Sequence, residues 1–160
     1  MAHPVYTVSN LTFMSKVVER IVAGQLVQYL QSNDLMPRLQ SAYRRHHSTE
    51  TALLRVVSDI LRAADCQHVT LLCLLDLSAA FDCVDHSILI QRLLQSFGIG
   101  GSAIAWIQSF LRDRTQQVSY ADGLSVIIQL VFGVPQGSVL GPLLFLLYTA
   151  ELFDIIARPV

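Results

Sequence analysis

Val69 to Leu75 carries no charge, no proline and no glycine, and it ends on an acid, Asp76. A continuous apolar run of this length, too short for an isolated helix, suits a strand buried on both faces. It therefore predicts a sheet with layers on either side. A carboxylate at the end of such a strand would stand where sheet meets solvent, where it could hold a hard cation such as Mg²⁺. Asp76 could equally cap the next turn, because acids often follow strands. Asp82 and Asp85 read as turn residues or as the start of the next helix.

Helices are predicted around this strand. Leu11, Met14, Val18, Ile21, Leu26 and Leu30 recur at helical spacing and predict a helix from Asn10 to about Gln31. Ser32 to His47 reads as a loop, with turn signals at Asn33-Asp34 and Met36-Pro37. Ser48 fits an N-cap and Glu50 the first turn of a second helix whose apolar face is Leu53, Val56, Val57, Ile60 and Leu61. Further helices are expected over Ser87–Phe97, Ser102–Arg112 and Ser138 to about Ile156. Thr115–Tyr120 and Leu124–Phe132 read as strands joined by a turn at Asp122-Gly123. The fold class is α+β, with helices packed on a small antiparallel sheet.

Composition sharpens this. The 160 residues are 52% apolar and 14% charged, with mean hydropathy +0.48, which excludes a disordered chain and fits one domain. Net charge is −1, unlike the usual nucleic-acid binder, but the charges are segregated. Arg38, Arg44, Arg45, His46 and His47 form a basic strip, and Asp76, Asp82 and Asp85 an acidic spot. Three cysteines without a C-x-x-C spacing argue against a zinc site or disulfide framework and for a reducing, intracellular compartment. Met1–Asn10 lacks the pattern of a signal peptide, and Val139–Ala150 is too short to span a membrane.

Two further segments carry candidate chemistry. Gly133-Val134-Pro135-Gln136-Gly137 precedes a helix start; its glycines allow close backbone approach, and Gln136 can both donate and accept. Alone it is also compatible with an ordinary loop. Arg44 and Arg45 offer bidentate contacts to phosphate, or a solvated basic loop.

In this order, the segments Asn10–Leu26, Gln40–Leu53, Leu74–His86 and Gly133–Leu147 resemble the reverse transcriptase domain of non-LTR, LINE-type retrotransposons of the chicken-repeat and jockey-like groups. The likeness runs from about Ser9 to Phe153. It implies a partial right-hand polymerase fold in a single domain, with 1–68 and 87–132 fingers-like and 69–86 and 133–160 palm-like. It implies RNA-directed DNA polymerisation, with an RNA template, a DNA primer, deoxynucleotides and two Mg²⁺ ions. Residue by residue, it makes Asp76 the catalytic metal ligand, joined by the backbone carbonyl of Leu77. Arg44 would approach the triphosphate and template. Phe81 would be the gate against the ribose 2′-hydroxyl. Gln136 and Gly137 would face the incoming nucleotide.

The resemblance also implies two aspartates in an aromatic-x-Asp-Asp hairpin downstream of Gly137. Tyr120-Ala121-Asp122-Gly123 imitates that hairpin but precedes Gly137 and reads as a turn. Tyr6-Thr7 stands where the family has Arg-Pro. The expectation is thus a truncated domain, inactive alone, with no membrane partner and with self-association through the uncovered edge of the Val69–Leu75 strand. The rivals are a non-catalytic nucleic-acid-binding remnant and a pseudogene product without function.

Overall fold

The computed structural model describes residues 12–37, 40–74, 76–77, 79–120 and 123–152. The chain divides into two compact units, one formed by 1–35 with 79–160 and the other by 36–78. No helix among the described residues is long and apolar enough to cross a membrane.

The larger unit is built on four helices: α1 (Phe13–Ser32), α3 (His86–Gln95), α4 (Gly101–Leu111) and α5 (Gly141–Thr149). Thr12 caps α1, its hydroxyl accepting from the Ser15 amide, and Asp85 caps α3 by accepting from the Ile88 amide at 3.0 Å. The core is aliphatic. Leu30, Val84, Leu89, Leu93, Leu140 and Leu144 are fully buried, and Leu111 and Leu147 nearly so. Burial of leucines at this level contributes about 1.5–3 kcal/mol each. Arg92 of α3 fastens the end of α5. It donates to the Tyr148 carbonyl, pairs with Glu151 at 2.8 Å and lies 5.0 Å from the Tyr148 ring centroid. A cation there also complements the negative end of the helix dipole.

On α1 the buried residues are Glu19, Leu26 and Leu30. Met14, Val18 and Ile21, expected on the packed face, are exposed. Glu19 shares the Leu26–Leu30 face at i, i+7 and i+11, so a charge stands where the apolar stripe should continue.

The two long strands expected between Thr115 and Phe132 are instead four short ones: β1 (Thr115–Gln116), β2 (Ser119–Tyr120), β3 (Gly123–Leu124) and β4 (Ile128–Gln129). β1 pairs antiparallel with β4 and β2 with β3. Between the pairs, Ser125 interrupts the ladder. Its Oγ accepts from the Val118 amide at 2.9 Å, and its carbonyl accepts from Gln117 Nε2 at 3.0 Å. Serine competes in this way with backbone pairing. Asp122 of the expected turn lies outside the described residues.

α5 starts at Gly141, not at Ser138. Ser138 closes a turn on the Pro135 carbonyl, and its Oγ accepts from the Gly141 amide at 2.6 Å. A Cβ on Gly141 would lie 2.8 Å from both the Pro135 carbonyl oxygen and Ser138 Oγ. Only glycine lets the loop fold back on the helix start this closely.

The smaller unit contains α2 (Thr49–Asp65). Its N-terminus is a reciprocal cap: Ser48 Oγ accepts from the Thr51 amide at 3.2 Å and Thr51 Oγ1 from the Ser48 amide at 2.8 Å. Hydrogen bonding from the Ser48 side chain and its own backbone holds Glu50 below the ordinary carboxylate range. The expected strand over Val69–Leu75 does not form: residues 69–74 belong to no strand. Val69 is 99% exposed, Leu71 92% and Leu74 84%. Strand propensity expresses itself only against a partner backbone and a packed face. Among the described residues these positions have neither. Leu75 lies outside the described residues.

Candidate functional site

The two most informative sequence segments of the larger unit are joined backbone to backbone. Asp85 and Phe132 form an antiparallel bridge. The Gly133 amide donates to the Val84 carbonyl at 2.8 Å and the Val134 amide to the Phe81 carbonyl at 2.7 Å. His86 Nε2 lies 2.7 Å from the Gly133 carbonyl and donates to it. Gly133 has φ +88°, and a Cβ there would lie 3.1 Å from Asp82 Cα and from the Phe81 carbonyl oxygen. Glycine at 133 is thus required by conformation and by space together.

This junction aims two side chains at each other. Gln136 Nε2 donates to both carboxylate oxygens of Asp82, at 3.1 Å each. The pair stands at a cavity of about 350 Å³, at the small end of the range for ligand pockets. The cavity is also lined by Arg114, Gln116 and Gln129; Gln116 and Gln129 lie on the paired strands β1 and β4. A cation, a carboxylate and the Gln136 amide thus line one space. They supply donors and acceptors for a ligand carrying phosphate and ring heteroatoms. Burial lowers the pKa of the Arg114 guanidinium and the nearby Glu19 carboxylate opposes this.

Glu19 supports the loop from beneath. It is 1% exposed. Its Oε2 accepts from the Val139 amide at 2.7 Å and the Leu140 amide at 3.2 Å. These amides precede α5, where free N–H groups and the positive end of the dipole favour a carboxylate. Glu19 thereby ties α1 to the segment that follows Gln136, some 120 residues away.

Among the expected site residues, the larger unit brings Phe81, Gln136 and Gly137 into the junction or the loop beside it. Phe81 contributes its carbonyl there; its ring packs on Phe145, with centroids 5.3 Å apart. Gly137 has φ +86°. Arg44, Asp76 and Leu77 belong to the smaller unit. Within it, Arg44 is half-buried and donates to the Pro37 carbonyl at 3.4 Å, held between the tight turns at Tyr43 and His46, both with positive φ. Asp76 and Leu77 are exposed. No three His, Cys, Asp or Glu side chains converge to hold a metal ion among the described residues. The sequence reading did not single out Glu19, Arg114, Gln116 or Gln129, and it gave Asp82 to a turn or to the start of the next helix. Only Glu19 had a visible signal, its place on the Leu26–Leu30 face.

The chain matches the family described as reverse transcriptase (RNA-dependent DNA polymerase) over residues 6–159. It is 34% identical over 145 residues to the probable RNA-directed DNA polymerase from transposon BS of Drosophila melanogaster. It is equally similar to that from transposon X-element of the same organism. The polymerase from mobile element jockey of Drosophila melanogaster is 32% identical over 144 residues. These alignments cover 90–91% of this chain and 16% of each relative, so the chain spans about a sixth of the length of the proteins it matches. No solved structure matches it. With the Leu74–His86 and Gly133–Leu147 segments in the order seen here, the chain belongs to the reverse transcriptase family, and to its non-LTR retrotransposon branch.

Proposed function

We propose that the chain is the template- and nucleotide-contacting part of an RNA-directed DNA polymerase with a right-hand fold. The observation that carries this is the junction of residues 81–86 with 132–136, which sets Gln136 at the mouth of a polar cavity shared with Arg114. In this reading Gln136 and Gly137 face the deoxynucleotide, Phe81 crowds its sugar, and Arg44 contacts phosphate of the RNA template or triphosphate. Asp76, with the Leu77 carbonyl, supplies one carboxylate toward Mg²⁺. Two-ion chemistry needs several convergent carboxylates, and the described residues do not bring them together. The isolated chain is therefore expected to bind a DNA-primed RNA template without extending it.

The test is a binding and extension assay on one primed RNA in Mg²⁺ buffer. Binding should weaken with salt, and Arg44→Ala should lower the log–log salt slope by about 1. Absence of binding at low salt would overturn the nucleic-acid reading. Extension abolished by Asp76→Ala would show that this chain completes the metal site itself.

The exposed run Val69–Leu74 adds a second expectation. Unpaired, apolar and uncharged, it is a template for intermolecular pairing. Leu71→Lys should reduce concentration-dependent assembly, read by size-exclusion chromatography with light scattering. Equal assembly in both proteins would clear this segment.

A further inference from the structure

Asp82 stands in a turn, and its amide closes that turn on the Ala79 carbonyl at 2.9 Å. Its carboxylate does something a turn does not need. It reaches across 54 positions to the Gln136 amide, with both oxygens 3.1 Å from the same nitrogen. An aspartate that merely shaped the turn would bond its own backbone a residue or two onward. No such bond is present among the described residues.

The consequence concerns which end of the Gln136 amide faces outward. A glutamine side chain can rotate by half a turn, exchanging a donor for an acceptor at almost no steric cost. A carboxylate is acceptor-only and can bond only the NH₂ end. Once Nε2 is committed to Asp82, Oε1 is the end left for a ligand. We infer that Asp82 is the positioning residue that fixes the Gln136 amide so that the cavity presents a hydrogen-bond acceptor, selecting ligands that offer a hydroxyl or N–H at that point.

The inference rests on the reading of this cavity as a nucleotide site. In this role the side chain acts through Gln136. Asparagine at 82 has the same shape but one donor end and one acceptor end, so it removes the directional constraint while keeping the volume. The backbone junction itself, from Gly133 to Val84 and Val134 to Phe81, does not involve the carboxylate.

The experiment is side-chain amide NMR on the ¹⁵N-labelled chain, combined with titration of dATP in Mg²⁺ buffer. The Gln136 NH₂ pair, identified by its absence in Gln136→Ala, should shift in Asp82→Asn. It should stay in place in Asp85→Asn, a carboxylate-to-amide change at a helix cap that asparagine also serves. Asp82→Asn should weaken dATP binding about three- to tenfold, the worth of one net hydrogen bond. It should do nothing further in the Gln136→Ala background. An unmoved Gln136 amide in Asp82→Asn would overturn the positioning role, whatever dATP does. A moved amide with no dATP binding by the unmodified chain would uphold the contact and refute the nucleotide reading. Weakening of equal size in the Gln136→Ala background would also overturn the inference, because Asp82 would then act independently of Gln136.

Discussion

Glu19→Ala is expected to destabilise the larger unit by about 3–4 kcal/mol, a large fraction of the roughly 5–15 kcal/mol that holds a domain together. The carboxylate is 1% exposed and accepts from two backbone amides at the start of α5. Alanine removes the one oxygen that accepts from both amides and leaves them, one buried and one part-buried, without that partner, at about 1–3 kcal/mol each. It also removes the negative charge that favours the Arg114 cation. Glu19→Gln keeps an acceptor for the amides but loses the charge and sets an NH₂ where the other carboxylate oxygen lies buried without a hydrogen-bond partner, so it should cost about 1–2 kcal/mol. Urea unfolding followed by fluorescence of Trp106, the one tryptophan and a residue of α4, measures both. With a slope near 2 kcal/mol/M, Glu19→Ala should lower the midpoint by about 1.5–2 M. A midpoint within 0.5 M of the unsubstituted chain (about 1 kcal/mol on that slope) would show that the α5 start holds its position without this carboxylate.

That residue also marks the limit of what the chain reveals before it is folded. The start of α2 was legible, because a cap is local: Ser48 announces the helix within three residues. The antiparallel pairing of Ser119–Tyr120 with Gly123–Leu124 was foreshadowed by a local signal too, the Asp-Gly dipeptide. The packed face of α1 was legible only in part. Periodicity named Leu26 and Leu30, which are buried, but also Met14, Val18 and Ile21, which are exposed, and it missed Glu19, a buried charge with two amides to satisfy. Val69–Leu75 had the composition of a central strand, yet a strand is a property of two backbones. Residues 69–74 lie exposed where no partner is described. The Gly133–Gly137 loop was recognisable by its glycines and by family resemblance. Its contact with Asp82 was not, since nothing in local spacing connects residues 54 positions apart. Gln116 and Gln129 likewise join the cavity only because β1 pairs with β4.

The junction beneath that cavity should be the second most sensitive point, and Gly133→Ala isolates it. At φ +88° an alanine pays for a left-handed backbone, about 1–2 kcal/mol. Its Cβ would also stand 3.1 Å from Asp82 Cα and the Phe81 carbonyl oxygen, 3.2 Å from the Asp82 carbonyl oxygen. All three are backbone atoms, so no side chain can turn aside, and the two segments must part by a few tenths of an ångström. That displacement loads the bonds from Gly133 to Val84 and from Val134 to Phe81, raising the total to about 2–3 kcal/mol. Gly101 supplies the control. It has φ +57°, and nothing lies within 4 Å of where its Cβ would stand, so Gly101→Ala bears the conformational cost alone. The two variants share one source of strain and differ in close approach. Urea unfolding should therefore place Gly133→Ala below Gly101→Ala, and only Gly133→Ala should shift the Gln136 side-chain amide. Equal destabilisation by both, with the amide unmoved, would mean that the 81–86 and 132–136 segments tolerate separation and that the cavity does not depend on their contact.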